Sequence, residues 1–325
     1  MNKNLCKFEA YSRLRHNIIF HPGFQSAFRQ LIDAYERMRL VGVGTNILLV
    51  GQSGTGKTTL KNRFLTEYPP VTKRDRIIRP ILAIDTPALP TVKNVAEAML
   101  VELGDPAFAR GSAIDKTSRI LRYLEISEVR MLILDETQHF IDQGNVRTPR
   151  EVSDWLKSLI DKARISAVLI GLPRTAELLD VNEQLRRRFN ERIVLEPFNL
   201  SDAKSLSGFI SFLIEADKLI ALPERCEFRD KDLLKRIHFA TNGIVDYVIK
   251  LFLGAYEIAL QKGLNSLSPI CFEESFATRI WPGADRERNP FHSKFRFDER
   301  LDKPGMPFHK ISNFSLERRP HAKAS

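Results

Sequence analysis

Gly51-Gln-Ser-Gly-Thr-Gly56-Lys57-Thr58 decides how this chain folds. The stretch fits G-x-x-x-x-G-K-[ST], a loop whose backbone N–H groups cradle phosphates. Asn46-Ile-Leu-Leu-Val50 runs into it as a short apolar strand, and Thr59-Leu-Lys-Asn-Arg-Phe-Leu65 leaves it with helical spacing. The glycines let the backbone curl until successive N–H groups face one hollow. The helix that follows adds its positive end to the same hollow. Gly51, Ser53, Gly54, Thr55, Gly56, Lys57, Thr58 and Thr59 are therefore the expected phosphate-binding residues. Lys57 would meet the β- and γ-phosphates, and the Thr58 hydroxyl is placed to ligand Mg2+.

Arg130-Met-Leu-Ile-Leu-Asp135-Glu136 is the second informative stretch. Four apolar residues run into two carboxylates. A strand buried on both faces reads as such a continuous apolar run, which places Asp135 and Glu136 at its carboxyl end. In open α/β sheets ligands bind at that end. Asp135 is the expected Mg2+ partner, directly or through water. Glu136 is expected to polarise the water that attacks the γ-phosphate.

Strands and helices alternate through the first 200 residues. Pro80-Ile-Leu-Ala-Ile-Asp85, Ser166-Ala-Val-Leu-Ile170 and Ile193-Val-Leu195 read as further strands, and Val152, Trp155, Leu156, Leu159 and Ile160 mark an amphipathic helix. This pattern predicts an α/β fold of three layers around a mainly parallel five-stranded sheet. Residues 202–262 read as helical, with breaks at Pro223 and Gly243, and imply a small all-α lid. The expected organisation is an irregular N-terminal arm at 1–23, the nucleotide-binding domain at 24–200, the lid at 201–280 and a tail at 281–325. Prolines at 282, 290, 304, 307 and 320 interrupt that tail, and charges surround its single phenylalanines, so it is expected to be largely irregular and mobile or ordered by a partner.

The chain has 325 residues, is 43% hydrophobic and 28% charged, and reads as an ordinary globular protein. It contains no long apolar run, so neither a transmembrane span nor a signal-peptide core is expected. Cys6, Cys226 and Cys271 show no metal-ligand or redox spacing, which suits a reducing cytoplasm. A net charge of +10 favours a polyanionic partner, nucleic acid before membrane.

Taken together, these stretches resemble the AAA+ ATPases, and more narrowly the TniB/TnsC branch that regulates DNA transposition. The resemblance covers roughly residues 15–265 and is carried by the phosphate loop, Leu103-Gly-Asp-Pro106, Asp135-Glu136 with Gln138-His139, Leu169-Ile-Gly-Leu-Pro173 and Gln184-Leu-Arg-Arg-Arg-Phe189. It implies regulatory hydrolysis of ATP with Mg2+ in a bacterial, nucleoid-associated protein. It also implies a ring or helical filament of copies on double-stranded DNA, with ATP between subunits, joining a TniQ-type target-selection protein to the transposase. A neighbour's arginine would reach the γ-phosphate; Arg188 matches that place, with Arg187 and Arg186 as competitors. Lys93 and Ser112 match the DNA-facing loops, and Arg110, Lys116 and Arg119 lie nearby. Two positions depart from the branch: Leu172 stands where a polar sensor is usual, and Asp246 and Tyr247 stand where a lid arginine is usual, so hydrolysis is expected to be slow. The alternatives are a helicase- or clamp-loader-type AAA+ ATPase, or an ATP switch that binds no DNA.

Overall fold

The computed structural model describes residues 3–142, 148–220, 222–298, 301–303 and 306–308, with 3–7 and 15 as backbone alone. The described chain divides into two compact units: residues 18–197 with 244–246, and the remainder. The chain opens on α1 (Lys3–His16), which belongs to the second unit.

The first unit then runs α2 (Pro22–Val41), β1 (Ile47–Gly51), α3 (Lys57–Glu67), β2 (Val71–Thr72), β3 (Ile77–Ile78), β4 (Ile81–Asp85), α4 (Val92–Glu102) and α5 (Ala113–Ile126). It continues with β5 (Met131–Asp135), α6 (His139–Asp142), α7 (Thr148–Ala163), β6 (Ser166–Gly171), a 3-10 turn at Pro173–Ala176, α8 (Glu177–Asp180), α9 (Glu183–Arg188) and β7 (Glu191–Leu195). Five strands form one sheet in the order β4-β5-β6-β1-β7, and every neighbouring pair is parallel. The short β2–β3 pair is a separate antiparallel hairpin.

Alternation along the strands builds the three layers. Leu48 and Val50 join Leu82, Leu132, Leu134 and Leu169 in a core shared with α4, α5 and α7. Ile47 and Leu49 join Ile133, Val168, Ile170 and Ile193 in a second core shared with α2 and α3. Each such side chain, fully buried, contributes about 1.5–3 kcal/mol. Because both faces of β1, β5 and β6 are covered, these three strands read as unbroken apolar runs, whereas the edge strand β7 alternates. Parallel pairing brings the strand ends together: Asp85 lies beside Asp135, Val50 beside Gly171 and Gly51 beside Leu195. Among the described residues, no helix is long and apolar enough to cross a membrane.

The second unit contains α10 (Ala203–Ile220), α11 (Lys231–Thr241), α12 (Val245–Lys262) and α13 (Pro269–Ser275), the last continuing into a π turn at Phe276–Ile280. The first two residues of α12 belong to the first unit.

Two expectations change here. The N-terminal arm is helical instead of irregular: Ala10 and Leu14, one turn apart, are 2% and 4% exposed, and α1 packs on α10. Two small apolar residues among charges are too weak a periodic signal to reveal a helix that a neighbouring helix stabilises. The described part of the tail, expected to be irregular and mobile or ordered by a partner, has one 3-10 turn at Arg286–Arg288 and packs its phenylalanines within the second unit. Phe291 stacks on Phe272 with ring centroids 5.5 Å apart, Phe295 meets Phe239 edge-on at 6.0 Å, and Phe308 meets Tyr247 at 5.0 Å. Scattered phenylalanines serve as individual plugs in this unit and need no core of their own.

Candidate nucleotide-binding site

The phosphate loop lies between β1 and α3, at the carboxyl edge of the sheet. Gly51 tolerates no side chain, since a Cβ there would lie 2.5 Å from Leu195 O and 2.6 Å from Thr55 Oγ1. Gly54 adopts φ +80° and is closed in by Ile244 and Asp246; the Asp246 N–H donates to Gly54 O at 3.0 Å. Gly56 caps α3 with φ +95° and offers no side-chain acceptor, so the first N–H groups of α3 face outward without a capping side chain.

Lys57 is 8% exposed and donates to Gly51 O and Gln52 O, both at 2.9 Å. Burial lowers its pKa from the ordinary lysine value, against the opposing pull of Glu136 and Asp135. Thr55 is buried and donates back to Gln52 O at 2.9 Å, so its hydroxyl shapes the loop. Ser53, Thr58 and Thr59 are exposed.

Asp135 is 2% exposed, and both of its oxygens are engaged. Oδ1 accepts the Glu136 N–H at 2.8 Å, and Oδ2 pairs with Lys61 Nζ at 2.7 Å. Lys61 Nζ also donates to Asp85 Oδ1 at 2.7 Å. Burial alone would lower the Lys61 pKa, but the hydrogen bonds to Asp135 and Asp85 outweigh it and raise the value. Sequence reasoning missed Lys61; the available signal was its place one turn after Lys57 on the same face of α3. Thr58 and Asp135 supply hard oxygen donors of the kind Mg2+ takes alongside substrate phosphates and water.

Glu136 sits in the left-handed region at φ +55°. Its Oε2 accepts from Gln138 Nε2, while Gln138 Oε1 accepts the Leu172 N–H at 3.1 Å. Gln138 is 4% exposed.

The arginines lie at the end of α9. Arg188 makes a two-pronged bond with Asp161 at 2.7 and 2.8 Å. Arg187 is 75% exposed and, among the described residues, pairs only with Glu183, one turn away. Arg186 is also open and reaches Asp180 at 3.8 Å.

The expected DNA contacts divide. Lys93 is exposed in the first turn of α4, and Arg110 is exposed in the loop before α5. Ser112 is the N-cap of α5 and forms a capping box with Asp115. Lys116 cannot meet a phosphate, since it is 0% exposed, paired with Glu97 at 3.1 Å, and donates to Phe108 O and Arg110 O at 2.5 and 3.1 Å. Arg119 is likewise committed, to Asp105 at 3.0 Å, Ala107 O at 2.9 Å and Arg110 O at 2.7 Å. These two cations hold the loop that presents Arg110.

Comparison with known proteins agrees with this geometry. Residues 14–199 match the family described as Bacterial TniB protein. Mouse origin recognition complex subunit 4 is 26% identical over 230 residues, 68% of this chain and 49% of that protein. The chain thus spans about half the length of the curated relatives it matches. Among solved structures, the ORC2 protein of Aeropyrum pernix, in its ADPNP-ADP complexes, has a TM-score of 0.62 at 16% identity, covering 85% of this chain and 73% of that one. CDC6P from Pyrobaculum aerophilum has a TM-score of 0.61 at 18% identity, covering 82% and 70%. Those two structures share its fold, a three-layer P-loop ATPase fold of AAA+ type, and the chain belongs to the TniB family.

Proposed function

We propose that this chain is an ATP-dependent regulator of DNA transposition. Copies of it assemble on duplex DNA with ATP and Mg2+ at their interfaces and join a TniQ-type target-selection protein to the transposase. The observation that carries the proposal is Lys57 in its glycine loop, set at one sheet edge with Asp135 and Glu136.

Lys57 rests on two neutral carbonyls, which a triphosphate displaces readily because a charge-assisted bond to phosphate is stronger. The loop amides and the open start of α3 then hold the β-phosphate. Mg2+, when bound, neutralises charge on the phosphate oxygens. Glu136 takes the proton of the attacking water. A neighbouring copy supplies an arginine, and the geometry favours Arg187. Its exposed pair one turn away holds it by only about 0.3–0.5 kcal/mol, whereas the fork on Arg188 must be broken first. Lys93 and Arg110 face the DNA backbone, and such contacts position a protein without reading sequence.

Similarity to an origin recognition complex subunit supports a second reading, a loader-type ATPase. Neighbouring genes separate the two: a transposase and a TniQ-like gene support the first, and replication genes support the second. The direct test is sedimentation with duplex DNA, with and without a slowly hydrolysed ATP analogue. The wild-type protein is expected to co-sediment only with the analogue, and Lys57→Ala in neither condition. A wild-type protein that binds no DNA in either state refutes the proposal.

A further inference from the structure

The site contains a link that sequence motifs do not account for. Gln138 follows Glu136 by two residues, is 4% exposed, and bridges two groups on different strands. Its Nε2 donates to the Glu136 carboxylate just after β5, and its Oε1 accepts the backbone N–H of Leu172 just after β6. The orientation of the amide follows from its partners: a backbone N–H can only donate and an ionised carboxylate can only accept. A side chain with one donor and one acceptor side by side satisfies both, and a carboxylate or an alkyl group of the same size does not.

Three features fix the bridge. The Thr137 N–H and Oγ1 both donate to Ile170 O, at 3.0 and 2.8 Å, which pins this segment to the end of β6. Gly171 makes room for the amide, since a Cβ there would lie 2.7 Å from Gln138 Oε1 and 2.9 Å from Thr137 Oγ1. Glu136 adopts φ +55°, a conformation that disfavours residues with a side chain, so its surroundings hold it there. Glu136 Oε2 is thereby tied to Gln138, while Oε1 makes no hydrogen bond to the described residues.

We propose that Gln138 is a positioning residue for hydrolysis. It clamps one oxygen of Glu136, leaves the other for the attacking water, and connects the base to the Leu172 N–H. This inference rests on Glu136 acting as the base.

The test uses the full chain. In the nucleotide-free protein, NMR of the Gln138 side-chain amide is expected to show one proton shifted and protected from exchange, and Glu136→Ala is expected to abolish that signature. Gln138→Glu still accepts from Leu172 but cannot donate to Glu136; Gln138→Leu does neither. Both are expected to lower kcat for ATP at least about tenfold, with KM changed less than about twofold. In a Glu136→Gln background, measured by single turnover, Gln138→Leu is expected to add nothing further. Gln138→Glu with wild-type kcat, or an amide signal indifferent to Glu136→Ala, overturns the proposal. If Glu136→Gln itself turns over normally, the reading of Glu136 as base has failed instead.

Discussion

Lys61 and Asp135 form a 2.7 Å ion pair beneath the phosphate loop, with side chains only 9% and 2% exposed. The pair ties α3 to the end of β5, so the helix carrying Lys57 and the strand carrying the acidic residues move together. Asp85, 71% exposed, shares the same ammonium from the neighbouring strand.

Removing the ammonium leaves a buried charge without its partner, at a cost of about 3–5 kcal/mol. Lys61→Met is therefore expected to destabilise the sheet-containing unit by roughly that amount, at the low end where water can enter. Trp155 on α7 reports this unit in urea titrations once Trp281 is replaced by Phe. Lys61→Met with Asp135→Asn is expected to be less destabilised than Lys61→Met alone. A single variant as stable as wild type would show that the pair is already hydrated.

Two lysines read alike in sequence should behave oppositely. Lys93→Ala is expected to leave stability within about 0.5 kcal/mol of wild type and to reduce the salt slope of DNA binding by about one. Lys116→Met leaves the Phe108 carbonyl without its donor, at about 1–3 kcal/mol, and removes the ion pair with Glu97, while Arg110 O keeps its bond from Arg119. Its primary effect should be a lower Tm. An unchanged salt slope for Lys93→Ala would place the phosphate contact elsewhere.

His21 caps α2, accepting the Phe24 N–H at 3.4 Å, and burial lowers its pKa to about 4. The unfolded chain therefore binds a proton that the folded chain refuses between the ordinary histidine value of 6.5 and about 4. The His21 contribution is complete above that window, falls as pH drops through it, and levels off below. By pH 5 the loss is at most about 2 kcal/mol. Asn caps equally well and does not titrate. Urea midpoints at pH 7 and pH 5 should thus move less in His21→Asn than in wild type. Equal movement would place the acid sensitivity elsewhere.

Phe291 is 7% exposed and stacked on Phe272. Phe291→Ala is expected to destabilise the second unit by on the order of 3 kcal/mol, with affinity for an ATP analogue unchanged. Trp281 fluorescence in a Trp155→Phe background measures the loss. Weakened partner binding at full stability would assign this ring to an interface instead.

The five apolar strands, the glycine loop and the acidic pair were legible because each is a local pattern: periodicity, backbone freedom, or a charge following a buried run. The strand order β4-β5-β6-β1-β7 and its register were not legible, because strands buried on both faces read as uniform apolar runs with no inside and outside to align. Less was legible where one residue type serves two ends. Lys116 and Arg119 look like phosphate contacts in a basic chain, and only folding turns their cations inward onto loop carbonyls.

The sequence by itself determined that a parallel sheet carries a phosphate loop, since those signals act over a few residues. Tertiary structure alone decided that Lys61 neutralises Asp135, that Gln138 links Glu136 to the end of β6, and that Phe291 is a core residue. Each of these joins groups distant in the chain or on different elements. Their energies come from burial and from hydrogen bonds made in a dry interior, and neither exists until the chain has closed around them.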